Sequence, residues 1–506
     1  MIMAVLIFLA GVIVRLPGLF RPLLGNFATK SAGYAMIARN FCLDPSTFFN
    51  PTLNIIINGQ KSFHMTEWPF FSYLAGAVYK IMPFIGLDAT GRALNVFLFS
   101  FSGLFVYYFV KSLWSAERGL AAFFIYLFFP LGIVYGQSFQ LEPAIALCIS
   151  VTFFLIDAWI EGKRSPARAL FVWLAISVLL LMKIQMICLA VPAFALVVSD
   201  VRGRELFRRP SFYVFAISCL ILPVAWYEYT FIAAREYDNV FFSVLYSMMI
   251  RSFPDPRIFT LDFYLRIAYI LLRSVFSPVG ILLVAAGMVP LFKRLDRRTW
   301  FTLSYFSAVL IYFILMPRKI YEMDYYYIPL LLPGAVAAAE GLYLFSKKWV
   351  RGFLLAVFCV SSIFLAWNPA FKTTGNELIL EHAGKYVDSM LAEEDRVIVC
   401  SEGSAVAFLY YTKRDGYELP VNEIVFSDLE QKARRELSLR SETSPIKLFD
   451  LYMDEGAAYF ACDNEDWLKT ANPELYEHIC DGRKIFRDAS GVMIVELKKV
   501  RDDTAY

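Results

Sequence analysis

Side chains that could do chemistry gather where a very apolar chain is interrupted by polar residues. The first interruption follows the opening apolar run and contains Lys30, Arg39, His64 and Glu67. Arginine can bind two phosphate oxygens with its planar fork, lysine binds phosphate as a point charge, and a carboxylate can accept a proton from a hydroxyl. This combination favours a site for an anionic ligand that is held at a membrane and has a polar head.

Three later interruptions carry further candidates. Ionisable groups at membrane depth are costly, so each is a functional candidate, although it can also serve helix packing. The candidates are Gln140 and Glu142 in "YGQSFQLEP", Lys183 in "LLLMKIQM", and Arg318, Asp324, Tyr325 and Tyr326 in "MPRKIYEMDYYYIPLLLP". Cations, carboxylates and tyrosines therefore recur together along the chain.

Most of the candidates also have a purely structural interpretation. Glu142 begins a predicted helix and could cap it, Glu67 could simply be solvated, and Lys183 could extend its ammonium group to the membrane interface. The others have similar alternatives: Arg39 could bind loop backbone, His64 could be a satisfied loop residue, Arg318 and Asp324 could pair with each other, and Tyr325 and Tyr326 could belong to an interfacial aromatic belt.

The composition indicates a polytopic helical membrane protein. Of the 506 residues, 58% are hydrophobic and only 18% are charged, and the mean hydropathy is +0.54. The net charge of +3 is small, and the basic residues report membrane topology, so no nucleic-acid partner is expected. No pair of histidines at ligand spacing and no dense aspartate cluster is present in the outer loops, so the sequence predicts neither a metal nor another cofactor.

Apolar runs predict about eleven transmembrane helices. The run at 168–199 is about 32 residues long, too long for one helix across ~30 Å of hydrocarbon, and "MKIQM" divides it into two short helices. Basic clusters near 111–118, 163–168, 202–209, 293–298 and 347–351 then all fall on one side, which the positive-inside rule assigns to the cytoplasm. The N-terminus is therefore predicted to be cytoplasmic, and every candidate above lies on the outer face.

The chain is predicted to contain two domains. Residues 1–367 form the membrane domain, which includes an outer loop at 21–91 with juxtamembrane helices, and a second outer loop lies near 234–264. Residues 368–506 change to an amphipathic helix followed by alternating strands and helices, with strands expected in "RVIVC", "AAYFAC" and "GVMIVEL". This pattern predicts a soluble α/β domain outside the cytoplasm.

The order of these segments resembles a known family. "AMIARNF", "EWPFFSYLAGAVYK", "GRALNVFLFS", "FFPLGIVYGQSFQLEPAIAL", the lysine of "LLLMKIQM" and "DYYYIPLLLP" are similar to segments of the C-type integral-membrane glycosyltransferases. This group includes the protein O-mannosyltransferases and the aminoarabinose transferase acting on lipid A. The resemblance implies a polyprenyl-phosphate sugar donor, transfer on the outer membrane face and inversion at the anomeric carbon.

The resemblance also implies roles for the candidates. Lys183, Arg39, Lys30 and Arg318 are expected to bind the donor phosphate, and His64, Gln140, Asp324, Tyr325 and Tyr326 to bind substrate. Relatives carry an acidic residue where this chain has Gly33, and a glycine cannot take a proton. Glu67 is therefore the first candidate for the general base and Glu142 the second.

The function predicted from the sequence is sugar transfer from a polyprenyl-phosphate donor to a hydroxyl of a protein, glycolipid or polysaccharide, at a bacterial inner membrane with a periplasmic C-terminal domain. A transporter or flippase for a lipid-linked sugar is the rival from another class. It would be expected to show paired repeats and broken helices near the midplane, and neither is apparent in the sequence. A non-catalytic, lipid-sugar-binding relative is the third alternative, and Gly33 would then mark lost activity.

Overall fold

The computed structural model describes residues 2–25, 27–64, 67–162, 165–236, 255–293, 296–425, 431, 434–435 and 442–497. Part of the predicted outer loop at 234–264, from residue 237 to 254, lies outside these ranges, as do Lys163, Arg164 and Arg294 of the basic clusters. The described chain is mostly helical and divides into two compact units. One unit comprises residues 1–20, 91–228 and 249–372, and the other comprises residues 21–90, 229–248 and 373–506.

The first unit, called the membrane unit below, is built from apolar helices. Within the described residues, its α-helices are Ile2–Ile13, most of Leu87–Leu113, Ala116–Phe128, Pro130–Tyr135, Glu142–Glu161, Pro166–Met182, Ala190–Val198, Val201–Arg204, Pro210–Ser218, the first half of Ile221–Glu236, Leu261–Ile270, Pro278–Lys293, Arg297–Leu315, Pro317–Glu322, Leu331–Leu342 and Lys348–Phe371. Five helices of the described chain are long and apolar enough to cross a membrane, or seven if each of two bent pairs counts as one span. The sequence estimate of about eleven also counted shorter apolar runs, two of which form Ile2–Gly18 and Pro166–Met182.

The long apolar run at 168–199 is broken at Lys183, where the sequence places the break. The helix Pro166–Met182 ends there, Lys183 is extended with φ −159° and ψ 96°, and a 3₁₀ helix at Ile184–Leu189 leads into Ala190–Val198. The break leaves a lysine side chain on non-helical backbone between two apolar helices. Irregular backbone at membrane depth is tolerated where protein covers it or where it lines a cavity, so we expect one of these surroundings at the break.

Two helices of the membrane unit approach each other closely through glycines. A Cβ atom added to Gly287 would lie 1.8 Å from the carbonyl oxygen of Ala337, and one added to Gly341 would lie 2.0 Å from the carbonyl oxygen of Leu283. Small residues let helix backbones pack tightly in membranes, where van der Waals contact drives association. The glycines thus join Pro278–Lys293 to Leu331–Leu342, the helix that follows the tyrosine-rich segment.

The second unit, called the sheet unit below, contains a mixed sheet. Its described strands are β1 (Thr52–Ile57), β2 (Gln60–Phe63), β3 (Val397–Cys400), β4 (Gly416–Glu418), β5 (Tyr459–Cys462), β6 (Ile485–Arg487) and β7 (Met493–Glu496), in the spatial order β2-β1-β4-β3-β5-β7-β6. Strands β1, β4, β3 and β5 are parallel, whereas β2, β7 and β6 pair antiparallel with their neighbours. Its α-helices in the described residues are Ala28–Leu43, Phe70–Ile81, Gly375–Met390, Ala405–Thr412, Pro445–Asp454, Glu465–Ala471 and Pro473–Cys480.

Local sequence explains why these elements form. The helix Gly375–Met390 begins with a capping box in which Thr374 accepts from the backbone of Glu377 and the Glu377 side chain accepts from the backbone of Thr374. The segments "VIVC" and "YFAC" are short and apolar, and they form the adjacent buried strands β3 and β5. Strands buried on both faces are typically continuous apolar runs, as here.

The outer loop does not group as the sequence predicts. The sequence assigned residues 21–91 to the membrane domain, whereas residues 21–90 group with residues 373–506. The physical reason is backbone pairing, because β1 from the loop pairs in parallel with β4 at Ile55 and Gly416. Each strand hydrogen bond satisfies polar backbone groups that would otherwise need another partner.

The ion pair of a buried arginine in the sheet unit leads to a stability prediction. Arg414 is 5% exposed and donates to Asp388 Oδ1 at 2.8 Å and to the carbonyl oxygen of Leu391 at 2.6 Å. Arg414→Met removes hydrogen bonds to a buried carbonyl and to a carboxylate that is 23% exposed. We therefore expect the free energy of unfolding to fall by about 1–3 kcal/mol. Thermal unfolding of the full-length protein in detergent measures this change.

Lys413 provides the matched control, because it contacts the same carboxylate at 2.8 Å but its side chain is 62% exposed. Lys413→Ala should change the free energy of unfolding by no more than about 1 kcal/mol, as exposed ion pairs contribute little. Equal losses of stability in the two variants would contradict a special role for the buried arginine.

Candidate functional site

In the membrane unit, Lys183 lies against two tyrosines. Its side chain is 7% exposed, and Nζ lies 4.0 Å from the ring centroid of Tyr326 and 5.5 Å from that of Tyr325. Aromatic faces attract an ammonium group most strongly where water is excluded. The extended backbone at Lys183 and the 3₁₀ helix Asp324–Leu330 bring together two segments that the sequence placed on the same side of the membrane.

Further polar groups surround this contact. The Tyr135 hydroxyl donates a hydrogen bond to Asp324 Oδ1, and the Tyr135 ring lies 6.1 Å from the Tyr325 ring. Tyr312 stacks near Tyr326 with ring centroids 6.3 Å apart, and its buried hydroxyl has no hydrogen-bond partner in the part of the chain that the structure describes. We call Tyr135, Glu142, Lys183, Asp324, Tyr325 and Tyr326 the lysine–tyrosine cluster.

Glu142 and Gln140 lie in the same unit, and each is 1% exposed. Glu142 is the first residue of the helix Glu142–Glu161, with Pro143 next, and its carboxylate interacts electrostatically with Tyr135 and Tyr312. The turn before the helix is held by Asn95, whose side chain donates to the carbonyl oxygen of Gln140 at 2.7 Å. The position is consistent with both sequence interpretations of Glu142, because a carboxylate at a helix N-terminus is favoured by the helix dipole.

Sequence reasoning missed three residues of this region. Tyr135, Tyr312 and Asn95 were not selected as candidates, although Asn95 interrupts the apolar run "GRALNVFLFS" and Tyr135 directly precedes "GQSFQLEP". A polar residue within an apolar helix was the available signal for Asn95. Tyr312 lies in an ordinary aromatic-rich helix, and nothing in its local sequence distinguishes it.

Arg318 occupies a different environment. Its side chain is 36% exposed, and Nε lies 3.1 Å from Glu322 Oε1, which is also 3.5 Å from Arg257. The alternative that Arg318 and Asp324 pair with each other is wrong, because Asp324 accepts from Tyr135 instead. The spacing explains the pair that forms, since residues four apart on the helix Pro317–Glu322 face each other.

In the sheet unit, three outer-loop side chains come together around a fourth, Tyr34. The Tyr34 hydroxyl donates to Glu67 Oε1 at 3.0 Å, the His64 ring lies 6.0 Å away edge-on, and Lys30 Nζ lies 5.8 Å from the Tyr34 centroid. Burial lowers the pKa of His64, which Glu67 partly opposes, so the imidazole is neutral at pH 7. We call Lys30, Tyr34, His64 and Glu67 the loop cluster.

Arg39 lies on the same helix as Lys30 but has other partners. It donates to the carbonyl oxygen of Tyr410 at 2.9 Å and to Asn54 Oδ1 at 3.0 Å, and its guanidinium lies 5.1 Å from the Tyr410 ring centroid. Arg39 thus binds a backbone oxygen, but this oxygen belongs to the helix Ala405–Thr412 and not to the outer loop that the sequence alternative named. The hydrogen bonds of Arg39 connect the helix Ala28–Leu43 to β1 and to the C-terminal part of the sheet unit.

The structure leaves room for a side chain at Gly33. A Cβ atom there would meet only Leu53, at 3.8 Å, which is ordinary van der Waals contact. Gly33 lies inside the helix Ala28–Leu43 with an ordinary helical backbone. The glycine is therefore not required by packing or by an unusual backbone angle.

We expect Gly33→Ala to raise the free energy of unfolding by about 0.5–1 kcal/mol, because alanine loses less backbone entropy than glycine in a helix. Gly76→Ala is the matched control on the neighbouring helix Phe70–Ile81, since its Cβ would lie 2.5 Å from the carbonyl oxygen of Ala38. The control variant should be destabilised. Thermal unfolding of both variants checks the prediction, and destabilisation by Gly33→Ala would contradict it.

The described residues contain no group of three or more histidine, cysteine, aspartate or glutamate side chains placed to hold a metal ion. The two clusters supply ammonium groups, carboxylates, tyrosine hydroxyls and a neutral imidazole. Such groups can bind an anion and transfer a proton.

Comparisons with known proteins agree with this architecture. Residues 66–227 match the family model for dolichyl-phosphate-mannose-protein mannosyltransferase. The fold is similar to that of ArnT from Cupriavidus metallidurans, solved bound to undecaprenyl phosphate, with 14% identity, a TM-score of 0.69 and 98% of each chain covered. No curated protein matches the chain at the level of sequence.

The fold is also similar to oligosaccharyltransferase from Archaeoglobus fulgidus. The enzyme solved in complex with Zn and sulfate has 12% identity and a TM-score of 0.58, covering 98% of this chain and 73% of the other. The archaeal oligosaccharyltransferase AglB, solved with an inhibitory peptide and a dolichol-phosphate, has 10% identity and a TM-score of 0.52, covering 98% and 74%. The chain therefore has the fold of the C-type integral-membrane glycosyltransferases, and the resemblance recognised in its sequence motifs is confirmed.

Proposed function

We propose that this protein transfers a sugar from a polyprenyl-phosphate donor to an acceptor hydroxyl on the outer face of a membrane. The observation that carries the proposal is Lys183, a nearly buried cation held over Tyr325 and Tyr326 at a break between apolar helices. A cation in a site of low dielectric stabilises phosphate oxygens more strongly than it would in water. The donor carries such a phosphate at the end of an apolar chain.

An apolar cavity lined by residues on both sides of Lys183 in the sequence supports a lipid donor. The cavity has a volume of about 370 Å³ and lies among the helices Glu142–Glu161, Pro166–Met182, Ala190–Val198 and Pro210–Ser218. Met186 and Ile187, from the 3₁₀ helix that follows Lys183, contribute to its wall. An isoprenoid segment would gain hydrophobic stabilisation there while its phosphate lies near the lysine.

The reaction needs one proton acceptor and one stabilised leaving group. The acceptor oxygen forms a bond to the anomeric carbon as the bond from that carbon to the phosphate oxygen breaks, which inverts the configuration. The acceptor proton passes to a carboxylate, and the polyprenyl phosphate leaves with its added negative charge near Lys183. Asp324, Tyr325, Tyr326, Gln140 and His64 are assigned to substrate binding within their own units.

Two carboxylates are proposed as the base, and the order of preference follows their surroundings. Glu67 is partly exposed and accepts a hydrogen bond from Tyr34, so it can reach a water-borne acceptor. Glu142 is 1% exposed, which favours an electrostatic or structural role. Lys30 is proposed to bind the donor phosphate. Arg39 is less suited to that role because its guanidinium already donates hydrogen bonds to Tyr410 and Asn54. Arg318 is less suited because it is paired with Glu322.

The acceptor, a protein, glycolipid or polysaccharide, is proposed to approach from the periplasm of a bacterial cell, with the N-terminus in the cytoplasm. The rival is a non-catalytic lipid-sugar binder. The family resemblance implies an acid at the position of Gly33, which this chain lacks. In that case donor binding persists and no sugar is transferred.

The test is sugar transfer from a radiolabelled polyprenyl-phosphate donor pool in membranes that contain the protein. We expect label to leave the donor and to appear in acceptor material only when the protein is present. Retention of bound donor without release of the sugar would overturn the transferase proposal and favour the binder. Movement of intact donor between leaflets of vesicles, without cleavage, would instead favour a flippase.

A further inference from the structure

A second cavity, of about 400 Å³, lies within the sheet unit. It opens at the carboxyl ends of the parallel strands β1, β4 and β3, where Ile57, Glu418 and Ser401 contribute to its wall. Ligands of open α/β sheets bind outside the carboxyl ends of the strands. The position is therefore one at which a small molecule is expected, and it involves none of the residues assigned to sugar transfer.

A partly buried glutamate lines this cavity. Glu418 ends β4, and its Oε1 atom is buried and accepts no hydrogen bond from the described residues. Burial raises the pKa of this carboxyl to about 7. Ser62, which also lines the cavity, is 3% exposed, and its hydroxyl oxygen likewise has no partner among the described residues. Buried polar groups are costly unless they are hydrogen-bonded, so both atoms are suited to a ligand.

Aromatic and apolar surfaces form much of the remaining wall. Tyr452 is held by stacking on Tyr417 at 4.5 Å between centroids and by a hydrogen bond of 3.4 Å to the backbone oxygen of Glu418. Trp467 lines the cavity as well, and Ile56 and Leu448 provide aliphatic contacts. The charged groups Arg434 and Glu442 also line it, and Glu442 accepts hydrogen bonds from the backbone of Thr443 and Ser444.

The geometry points to a binding site for a small molecule that carries a primary ammonium group on an apolar body. The ammonium group would donate to Glu418 and Ser62, and the apolar body would pack against the rings of Tyr452 and Trp467. A carboxylate forms its strongest hydrogen bonds with charged donors, and aromatic faces attract cations. The carboxylate and the aromatic rings of the lining therefore both favour an ammonium ligand. This site is independent of the proposed sugar transfer.

The test uses benzylammonium as the probe and benzyl alcohol as its uncharged match. Binding to the full-length protein in lipid nanodiscs is measured by calorimetry at pH 8, above the pKa of about 7 at which the carboxylate forms. We expect benzylammonium to bind at least tenfold more tightly than benzyl alcohol. In Glu418→Gln we expect that preference to disappear, because the amide is a weaker partner for an ammonium group.

Two further variants keep the test decisive. Glu394→Gln removes an exposed carboxylate of the same unit and should leave both affinities unchanged. Ile424→Trp places a large ring in the cavity wall and should weaken both ligands. Equal affinity for the two probes in the wild type, or an unchanged preference for benzylammonium in a folded Glu418→Gln variant, would overturn the proposal.

A competition experiment distinguishes two sources of the ammonium group, a lysine side chain of a peptide and a free amine. An acetylated lysine methylamide carries the same group on a peptide backbone. Displacement of benzylammonium by this compound would assign the site to a lysine side chain of a peptide, whereas binding of benzylammonium without such displacement would assign it to a free amine. The sugar-transfer assay on Glu418→Gln should give wild-type rates, so failure of this proposal is distinguishable from failure of the transferase.

Discussion

Lys183→Met should reduce kcat/KM for the polyprenyl-phosphate donor by roughly 30-fold to several thousand-fold. The loss of one partner of a buried charge pair costs about 2–5 kcal/mol, and each 1.4 kcal/mol is a factor of ten. Methionine keeps the length and apolar character of the side chain, so the two tyrosines retain a neighbour of similar size. The measurement is the initial rate of sugar transfer at varied donor concentration in membranes.

Two control variants separate charge from structure. Lys183→Arg keeps a cation and should retain a measurable part of the activity, although the planar guanidinium does not replace an ammonium group fully. Arg318→Met removes a cation that is 36% exposed and paired with Glu322, and it should change kcat/KM by less than tenfold. Wild-type donor affinity in Lys183→Met would show that the lysine only extends to the interface, which is the structural alternative left open by the sequence.

Glu67→Gln should lower kcat by about 10²–10⁴-fold while donor binding stays at the wild-type level. A positioned general base contributes a factor of this size, and glutamine preserves shape and the hydrogen bond from Tyr34 but cannot take the proton. Single-turnover transfer with prebound radiolabelled donor measures the chemical step, and retention of labelled donor on the purified protein measures binding.

Glu142→Gln is the matched comparison, since it makes the same chemical change at the other candidate carboxylate. Because Glu142 is 1% exposed at a helix N-terminus, we expect a loss in kcat of less than about tenfold, together with reduced thermal stability. The reverse order of effects would move the base to Glu142. Full activity in both variants would leave neither carboxylate as the base.

Gly33→Asp extends this comparison. An added Cβ at Gly33 would meet only Leu53, at ordinary contact distance, so the first side-chain atom of an aspartate fits there. Activity restored by Gly33→Asp in the Glu67→Gln background would show that a carboxylate at this helix position can perform the same proton transfer. If the double variant stays inactive while it binds donor, the base function depends on the geometry at Glu67.

Tertiary structure decided several points about the candidate residues that local sequence left open. Arg39 contacts Tyr410, which is 371 positions away in the chain, and Tyr135 donates to Asp324 across 189 positions. Periodicity and spacing report only which face of a helix or strand is apolar. The choice between a pocket and a backbone partner for Arg39 therefore could not be made before the fold was known.

The grouping of the outer loop has the same origin. The segment from Thr52 to Phe63 contains an apolar run and the turn residues Asn58 and Gly59, both with positive φ, so a hairpin was readable in principle. Its addition to the C-terminal sheet depends on the free edge of β4, formed more than 350 residues later. An open strand edge accepts whichever strand the fold brings to it, so the chain order does not identify the partner.

The sequence by itself determined the membrane class, the family resemblance, the helix break at Lys183 and the strands within "RVIVC", "AAYFAC" and "GVMIVEL". These features depend on hydrophobic content and on local periodicity, which the chain carries wherever its segments finally pack. Only the tertiary structure decided that Lys183 lies over Tyr325 and Tyr326, that Glu67 pairs with Tyr34, and that the cavity at Glu418 exists. Each of these depends on contacts between distant segments, because burial and side-chain partners are properties of the packed chain and not of its local pattern.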